Sequence, residues 1–386
     1  MSKSRFSRPI YWQLIAGALC LIAVLDARSE GQLFVASGEL GVYSCKFGGG
    51  ELSEARKVFS LENIGSIELG PRQGVLYASA GRTRTEVASG EVVALRVTEG
   101  GGLEELNRVR FDAERFCSLA VSPDKRFLLG ASYGSGVVGS FSLGPDGEIR
   151  EQVSHVRLPR LPRGNSDLAR AHDVEFSHDG SLVFVPDIAN DRVYTFEIGE
   201  DGKLESNGFV SSDSFRGPRH LTMTSDSSRV FVLNQIGSSV VAFRHDGNGK
   251  LVEYQSISTL PDGYEGPQNH AAEILLHPGG QFLYTSNRVH DSLSVFALEA
   301  DGKLRALQRV ASGGSRPWSF VLAEDGGFLI CSNRKSDNLV VFRIDPEDGK
   351  IARQRGEIAV PDPVSLAIRD GAAGDSAPNE NPSTQR

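Results

Sequence analysis

A chain of 386 residues with 39% apolar and only 8% aromatic content can bury one large core or two ordinary ones. Its 41 basic residues against 49 acidic ones give a net charge of −8, which excludes the broad cationic surface that nucleic acid or an anionic membrane demands. Forty-three glycines against 17 prolines favour a turn-rich all-β fold over a helical one.

The first 27 residues do not read as part of that fold. Lys3, Arg5 and Arg8 precede an apolar run from Leu14 to Leu25, and small and polar residues follow around Ala27 to Glu30, the pattern of a secretory signal sequence. The run is shorter than the ~20 residues that a spanning helix needs. The expectation is an exported protein, periplasmic or extracellular, with no stable membrane insertion after cleavage; an N-terminal anchor is the alternative. Cys45, Cys117 and Cys331 then remain, odd in number and without a CxxC pair, so they read as small buried apolar residues and not as a disulfide framework or metal site.

From Gln32 onward one unit recurs. In chain order its anchors are QLFVAS from Gln32, VLYASA from Val75, FLLGAS from Phe127, LVFVPD from Leu182, RVFVLN from Arg229, FLYTSN from Phe282 and FLICSN from Phe328. Seven copies start 43 to 55 residues apart, the period of β-propeller blades. Another short strand precedes the later anchors, as in SLAVSPD from Ser118, HDVEFSHD from His172, HLTMTSD from His220, AEILLHP from Ala272 and SFVLAED from Ser319. A third follows them, as in RVYTFEI and SLSVFAL, and then turns such as GEDGKL and EADGKL, whose Asp-Gly pairs supply positive φ. The predicted fold is all-β, a seven-bladed β-propeller of four-stranded antiparallel blades.

The chain ends sharpen that count. The first copy begins with its second strand, whereas PVSLAIRD, from Pro363 to Asp370, is a strand left over after the seventh blade. It is expected to enter the first blade and close the ring, which removes open edges. The propeller domain is thus assigned to residues 28–371, and the polar tail 372–386 reads as disordered.

In such a blade the inner strand starts on the face where the second strand ends, so those positions ring one mouth of the central channel. His172, His220, His270 and His290 map there, while His178, His245 and His277 map to the opposite face and His155 to an outer strand. Arg219, Glu273 and Arg316 also map to inner-strand starts, and Asp187, Gln235, Asn287, Arg288 and Arg334 to second-strand ends. The first three second strands end in Ser37, Ala80 and Ser132, so the site is expected off-centre, over blades four to seven. His172, Arg219, Glu273 and Arg288, converging from separate blades, form the candidate catalytic set. Asp187, His220, Gln235, Asn287, His290 and Arg316 are candidate substrate ligands. Asn333, Asp337 and Asn338 read equally well as residues that satisfy turn backbone.

Several of these residues sit in longer recognisable pieces: GPRHL at Gly217, NHAAEI at Asn269, LYTSNRVHDSLSVF at Leu283, SRPWSF at Ser315 and CSNRKSDNLVVFRID at Cys331. With them the chain resembles the lactonase-type seven-bladed propellers, a family that spans propeller 6-phosphogluconolactonases and carboxy-muconate cyclases. The resemblance implies a site without metal or other cofactor, built from a histidine, two arginines and a carboxylate, and it carries the histidine to His172 and the arginines to Arg219 and Arg288. Where the cyclase branch has a glutamate this chain has Gln235, which hydrogen-bonds but does not exchange a proton near neutral pH. Glu273 then stands as the carboxylate. The implied activity is a carboxylic-ester hydrolase opening a small sugar-type lactone, with His172 taking a proton from water and the arginines stabilising the oxyanion. An exported, non-catalytic ligand- or protein-binding propeller and a cyclase-like cycloisomerase are the alternatives.

Overall fold

The computed structural model describes residues 30–70, 74–82, 89–159, 168–211 and 217–371. Over them the recurring runs form seven antiparallel sheets, six of four strands and one of five. The expected leader 1–27 and tail 372–386 lie outside the described residues.

One blade illustrates why these sequences become these strands. Phe282–Asn287 lies between Ala271–Leu276 and Ser292–Leu298 and is buried at every position. Each face of its sheet is covered by a neighbouring blade, so this strand has no solvent face: Phe282, Leu283 and Tyr284 are buried in the blade and so are the polar Thr285, Ser286 and Asn287. In the outermost strand, Leu304–Ala311, only Leu304 is fully buried; Arg305 and Ala311 are exposed and the residues between them are partly buried. Tight turns let blades nest closely. Gly349, at φ 69, packs so near the Phe282 ring of the preceding blade that a Cβ there would overlap it.

Ring closure follows the expected route. Pro363–Arg369 pairs antiparallel with Gly31–Ser37, setting Ile368 opposite Leu33 and Leu366 opposite Val35. Val364 and Ala367 pack with Ile64 and Ile67 of the second blade, and Leu366 packs with Ile330 and Leu339 of the seventh. The last strand therefore joins three blades.

Two local features depart from uniform four-stranded blades. In the first blade the outer strand is broken into Glu51–Leu52 and Arg56–Phe59, both paired with Gly41–Gly48, which makes that sheet five-stranded. In the fourth, the inner strand expected to start at His172 is regular only over Glu175–Phe176, and upstream a single bridge joins Ala171 to Asp187. The physical reason is Asp173. Its carboxylate reaches sideways, accepting from Ser118 Oγ in blade three at 2.6 Å and from the Leu221 amide in blade five at 3.1 Å, which ties this stretch to its neighbours instead of to its own sheet.

Bulges mark the tops of other inner strands. Register shifts fall between Pro218 and His220, Ala271 and Ile274, and Pro317 and Ser319. A bulge breaks the alternation of side chains and re-aims one of them. Arg219 and His220, adjacent in sequence, accordingly both face the central channel.

Candidate functional site

A cavity of about 560 Å³ opens at the channel mouth. Arg115 and Tyr133 line it from blade three, Arg170 and His172 from blade four, Gln235 from blade five, Arg288 from blade six, and Trp318 and Arg334 from blade seven. Beneath it the channel continues as a second cavity of about 250 Å³, walled by Arg219, His220 and Glu273 together with Glu68, Asp173 and Glu175. Cys117 and Trp318 border both cavities and form the floor between them.

The four candidate catalytic residues meet at this floor from two levels. His172 and Arg288 line the upper cavity. Arg219 lies below, 1% exposed, donating through Nη1 to the Ala272 carbonyl, and Nε of the same guanidinium has no partner. Glu273 accepts a 2.7 Å hydrogen bond from His220 Nδ1. The His172 and His220 rings stand 5.1 Å apart, and Tyr133 presses edge-on against His172 at 5.5 Å.

The other candidates divide. Gln235 reaches the mouth cavity, and with Arg288, His270 and Arg316 it also lines an adjoining recess of about 200 Å³. Asp187 is turned away from it: Oδ1 accepts from the Arg170, Ala189 and Asn190 amides and Oδ2 from Asn190 Nδ2. Asn287 is likewise fully buried and spent on Thr259, Asn269, Ser292 and Ser294. The expectation that these two side chains face a ligand is corrected by that geometry, because orphaned backbone groups at strand ends compete for any nearby carboxylate or amide. His290 is also held locally, by Ser292 Oγ at 2.7 Å and the Tyr264 ring. In His245 and His277 both ring nitrogens are occupied within turns.

Charge separates the two cavities. Arg115, Arg170, Arg288 and Arg334 stand at the upper one, and Arg334 is paired with Asp362 at 2.5 Å. Burial, with Arg219 and Arg316 nearby, pushes Arg288 down to about 8. A guanidinium surrenders its proton with great reluctance, so Arg288 stands as a cation among other cations. Burial first, and then Arg219, His220 and Arg288, hold His172 well below the usual imidazole value, which keeps it neutral near pH 7. In the lower cavity burial pushes Glu68 up to about 8, with Asp173 adding to it, and raises Glu175 as well. Glu273 differs. Although burial opposes it, His220 and Arg219 hold its carboxyl below the ordinary range, so it is ionised. Burial pushes the Cys117 thiol up to about 12, which removes it as a nucleophile.

The family model described as "Lactonase, 7-bladed beta-propeller" matches residues 32–368, nearly the whole of the ring just described. The chain belongs to this family. Among relatives of this lactonase-family propeller, a 6-phosphogluconolactonase of Bacillus subtilis (strain 168) is 29% identical over 341 residues, covering 86% of this chain and 95% of that one. An uncharacterized Staphylococcus aureus (strain N315) protein is 30% identical over 303 residues, 74% of this chain and 86% of that one. Among solved structures, a periplasmic gluconolactonase of Pseudomonas aeruginosa superposes with a TM-score of 0.81 at 26% identity, covering 89% of this chain and 100% of that one.

Among the residues lining the lactonase-family mouth, sequence reasoning did not assign Arg115, Cys117, Tyr133, Arg170 or Trp318 to it. Extending the strand-end rule by one residue finds Tyr133, which follows Ser132 as Gln235 follows Asn234. Trp318 occupies in blade seven the place that Arg219 holds in blade five, just after the proline opening the inner strand. Its indole ring faces the guanidiniums of Arg288 at 4.6 Å, Arg334 at 4.5 Å and Arg219 at 5.7 Å. One aromatic face thus steadies three guanidiniums.

Proposed function

We propose that the protein hydrolyses a sugar-type lactone in the mouth cavity. The observation that carries this reading is a neutral imidazole, His172, beside the part-buried cation Arg288 and above the buried cation Arg219, at the floor of a cavity with room for a monosaccharide. His172 takes a proton from water as the water attacks the lactone carbonyl. Arg288 faces the developing oxyanion directly, while Arg219 acts from beneath through its charge, and both favour the carboxylate of the product. Gln235 and Arg316 bind the sugar hydroxyls. Gln235 cannot exchange a proton, which disfavours the cycloisomerase alternative. The leader-like N-terminus and the periplasmic Pseudomonas relative support export.

The test is acid release from a panel of γ- and δ-aldonolactones, phosphorylated and unphosphorylated, by the purified mature protein. Turnover of at least one is expected. Saturable binding without turnover across the panel would instead mark a binding propeller, and loss of a diene absorbance with an unsaturated diacid would mark a cycloisomerase.

Trp318 supplies a second check. Each cation–π contact contributes about 0.5–2 kcal/mol, so Trp318→Leu frees Arg288 and Arg334 from a common platform. The expected result is a KM roughly 10-fold higher with a smaller change in kcat, read from steady-state kinetics.

A further inference from the structure

The lower channel holds a carboxylate and an imidazole for which the hydrolytic step has no use so far. Glu273 is a carboxylate and can only accept, so the 2.7 Å bond places a proton on His220 Nδ1; in the neutral ring Nε2 is then the bare nitrogen. That Nε2 is buried and has no partner, and neither has Nδ1 of His172, whose ring stands 5.1 Å away. Two orphaned nitrogens on adjacent imidazoles are complementary when one carries a proton and the other does not. A rotation that brings the two nitrogens together, or one shared water, would join them.

Building on lactone hydrolysis at His172, we propose that His220 and Glu273 form a proton relay that sets the tautomer of His172 and receives the proton it takes from water. With Nδ1–H of His172 directed to His220 Nε2, the His172 Nε2 lone pair is left for the cavity. As water attacks, its proton goes to His172 Nε2, the Nδ1 proton passes to His220 Nε2, and the positive charge settles on His220 beside the Glu273 carboxylate. When the tetrahedral adduct collapses, the bond from the acyl carbon to the ring oxygen breaks. The proton returns along the same path to the departing alkoxide, and water has been added across the ester with nothing oxidised or reduced. His220 and Glu273 are positioning residues in this scheme, since neither touches the substrate.

The relay answers an electrostatic difficulty. Around the His172 and His220 pair stand Arg219 and Arg288, which oppose a second positive charge, and Asp173 and Glu273, which favour one; the Cys117 thiol and the Tyr133 ring border it, and Glu68 and Glu175, raised by burial, share the lower cavity. Charge left on His172 would sit next to the arginines; moved to His220 it meets a carboxylate in contact. Arg219 Nε, also unpartnered, can donate a hydrogen bond there but cannot ferry a proton.

The experiment compares Glu273→Gln and Glu273→Asp with the parent protein in kcat, KM and the pH profile of kcat, and records imidazole ¹⁵N shifts of the unsubstituted protein. Glu273→Gln should lower kcat by about 10- to 100-fold with KM little changed. It should also move the acidic limb to lower pH by about one unit, because a protonated pair loses its carboxylate. Glu273→Asp should restore part of kcat. The ¹⁵N spectra should show His220 protonated at Nδ1 and His172 protonated at Nδ1 at neutral pH, an outcome independent of whether any variant folds. An unmoved limb in Glu273→Gln, or a bare Nδ1 on His220, overturns the relay. If His172→Ala abolishes turnover while that limb stays put, the lactonase reading stands and the relay falls; if His172→Ala keeps full turnover, both fall.

Discussion

His172→Ala is expected to lower kcat/KM for the hydrolysed lactone by about 10²- to 10⁴-fold, the contribution of a positioned general base, while the protein stays folded. The imidazole is buried, yet its Nδ1 makes no hydrogen bond in the structure, so the substitution breaks none at that nitrogen. The pH profile gives the sign. Because burial and the arginines depress the His172 value in the folded protein, the active neutral form persists below the ordinary imidazole range. The acidic limb of kcat/KM should therefore fall below pH ~6.5, and it should vanish in the residual activity of the variant. Stability supplies an independent reading. A histidine buried neutral binds its proton more readily in the unfolded chain, so the parent protein loses stability as pH drops from about 6.5 toward the depressed value. Denaturant unfolding at pH 7 and pH 5 should show a smaller acid penalty in His172→Ala than in the parent.

Ending the chain at Asp362 is expected to abolish soluble folded protein. It removes Pro363–Arg369, which fills the inner position of the first blade, and leaves Gly31–Ser37 with an open edge facing the channel. Burying Val364 and Leu366 contributes about 1.5–3 kcal/mol each, before the ladder to Gly31–Ser37 and the Ile67 amide bond to Ser365 Oγ at 3.2 Å are considered. That is a large share of the roughly 5–15 kcal/mol by which domains are stable. Circular dichroism and size exclusion of the truncated protein check this. A peptide spanning residues 361–371, added in trans, should recover folded material by strand addition. A soluble, cooperatively folding truncated ring would contradict the account of closure.

Much of this architecture was legible because it rests on local signals. Each second strand, from Gln32 to Phe328, announces itself by an apolar run bounded by turn residues, and the surplus strand at Pro363 matches the strand missing before Leu33. The mouth positions of His172, Gln235 and Arg288 follow from that repeat alone. What the repeat cannot specify is the direction of side chains where the ladder ends. Asp187 and Asn287 sit at rim positions by count, but each faces inward to satisfy backbone donors or local side chains, whereas Arg115, Tyr133 and Trp318 fill the cavity instead.

By itself the sequence determined the number of blades, the route of closure and the face on which chemistry can gather, since hydrophobic period and turn residues act over a few neighbours. Only the tertiary structure decided that Arg219 lies under the floor, that Glu273 hydrogen-bonds His220, and that Trp318 gathers three arginines. Those outcomes depend on bulges and on distances between blades far apart in the chain, which are set when the ring closes and not by any local pattern.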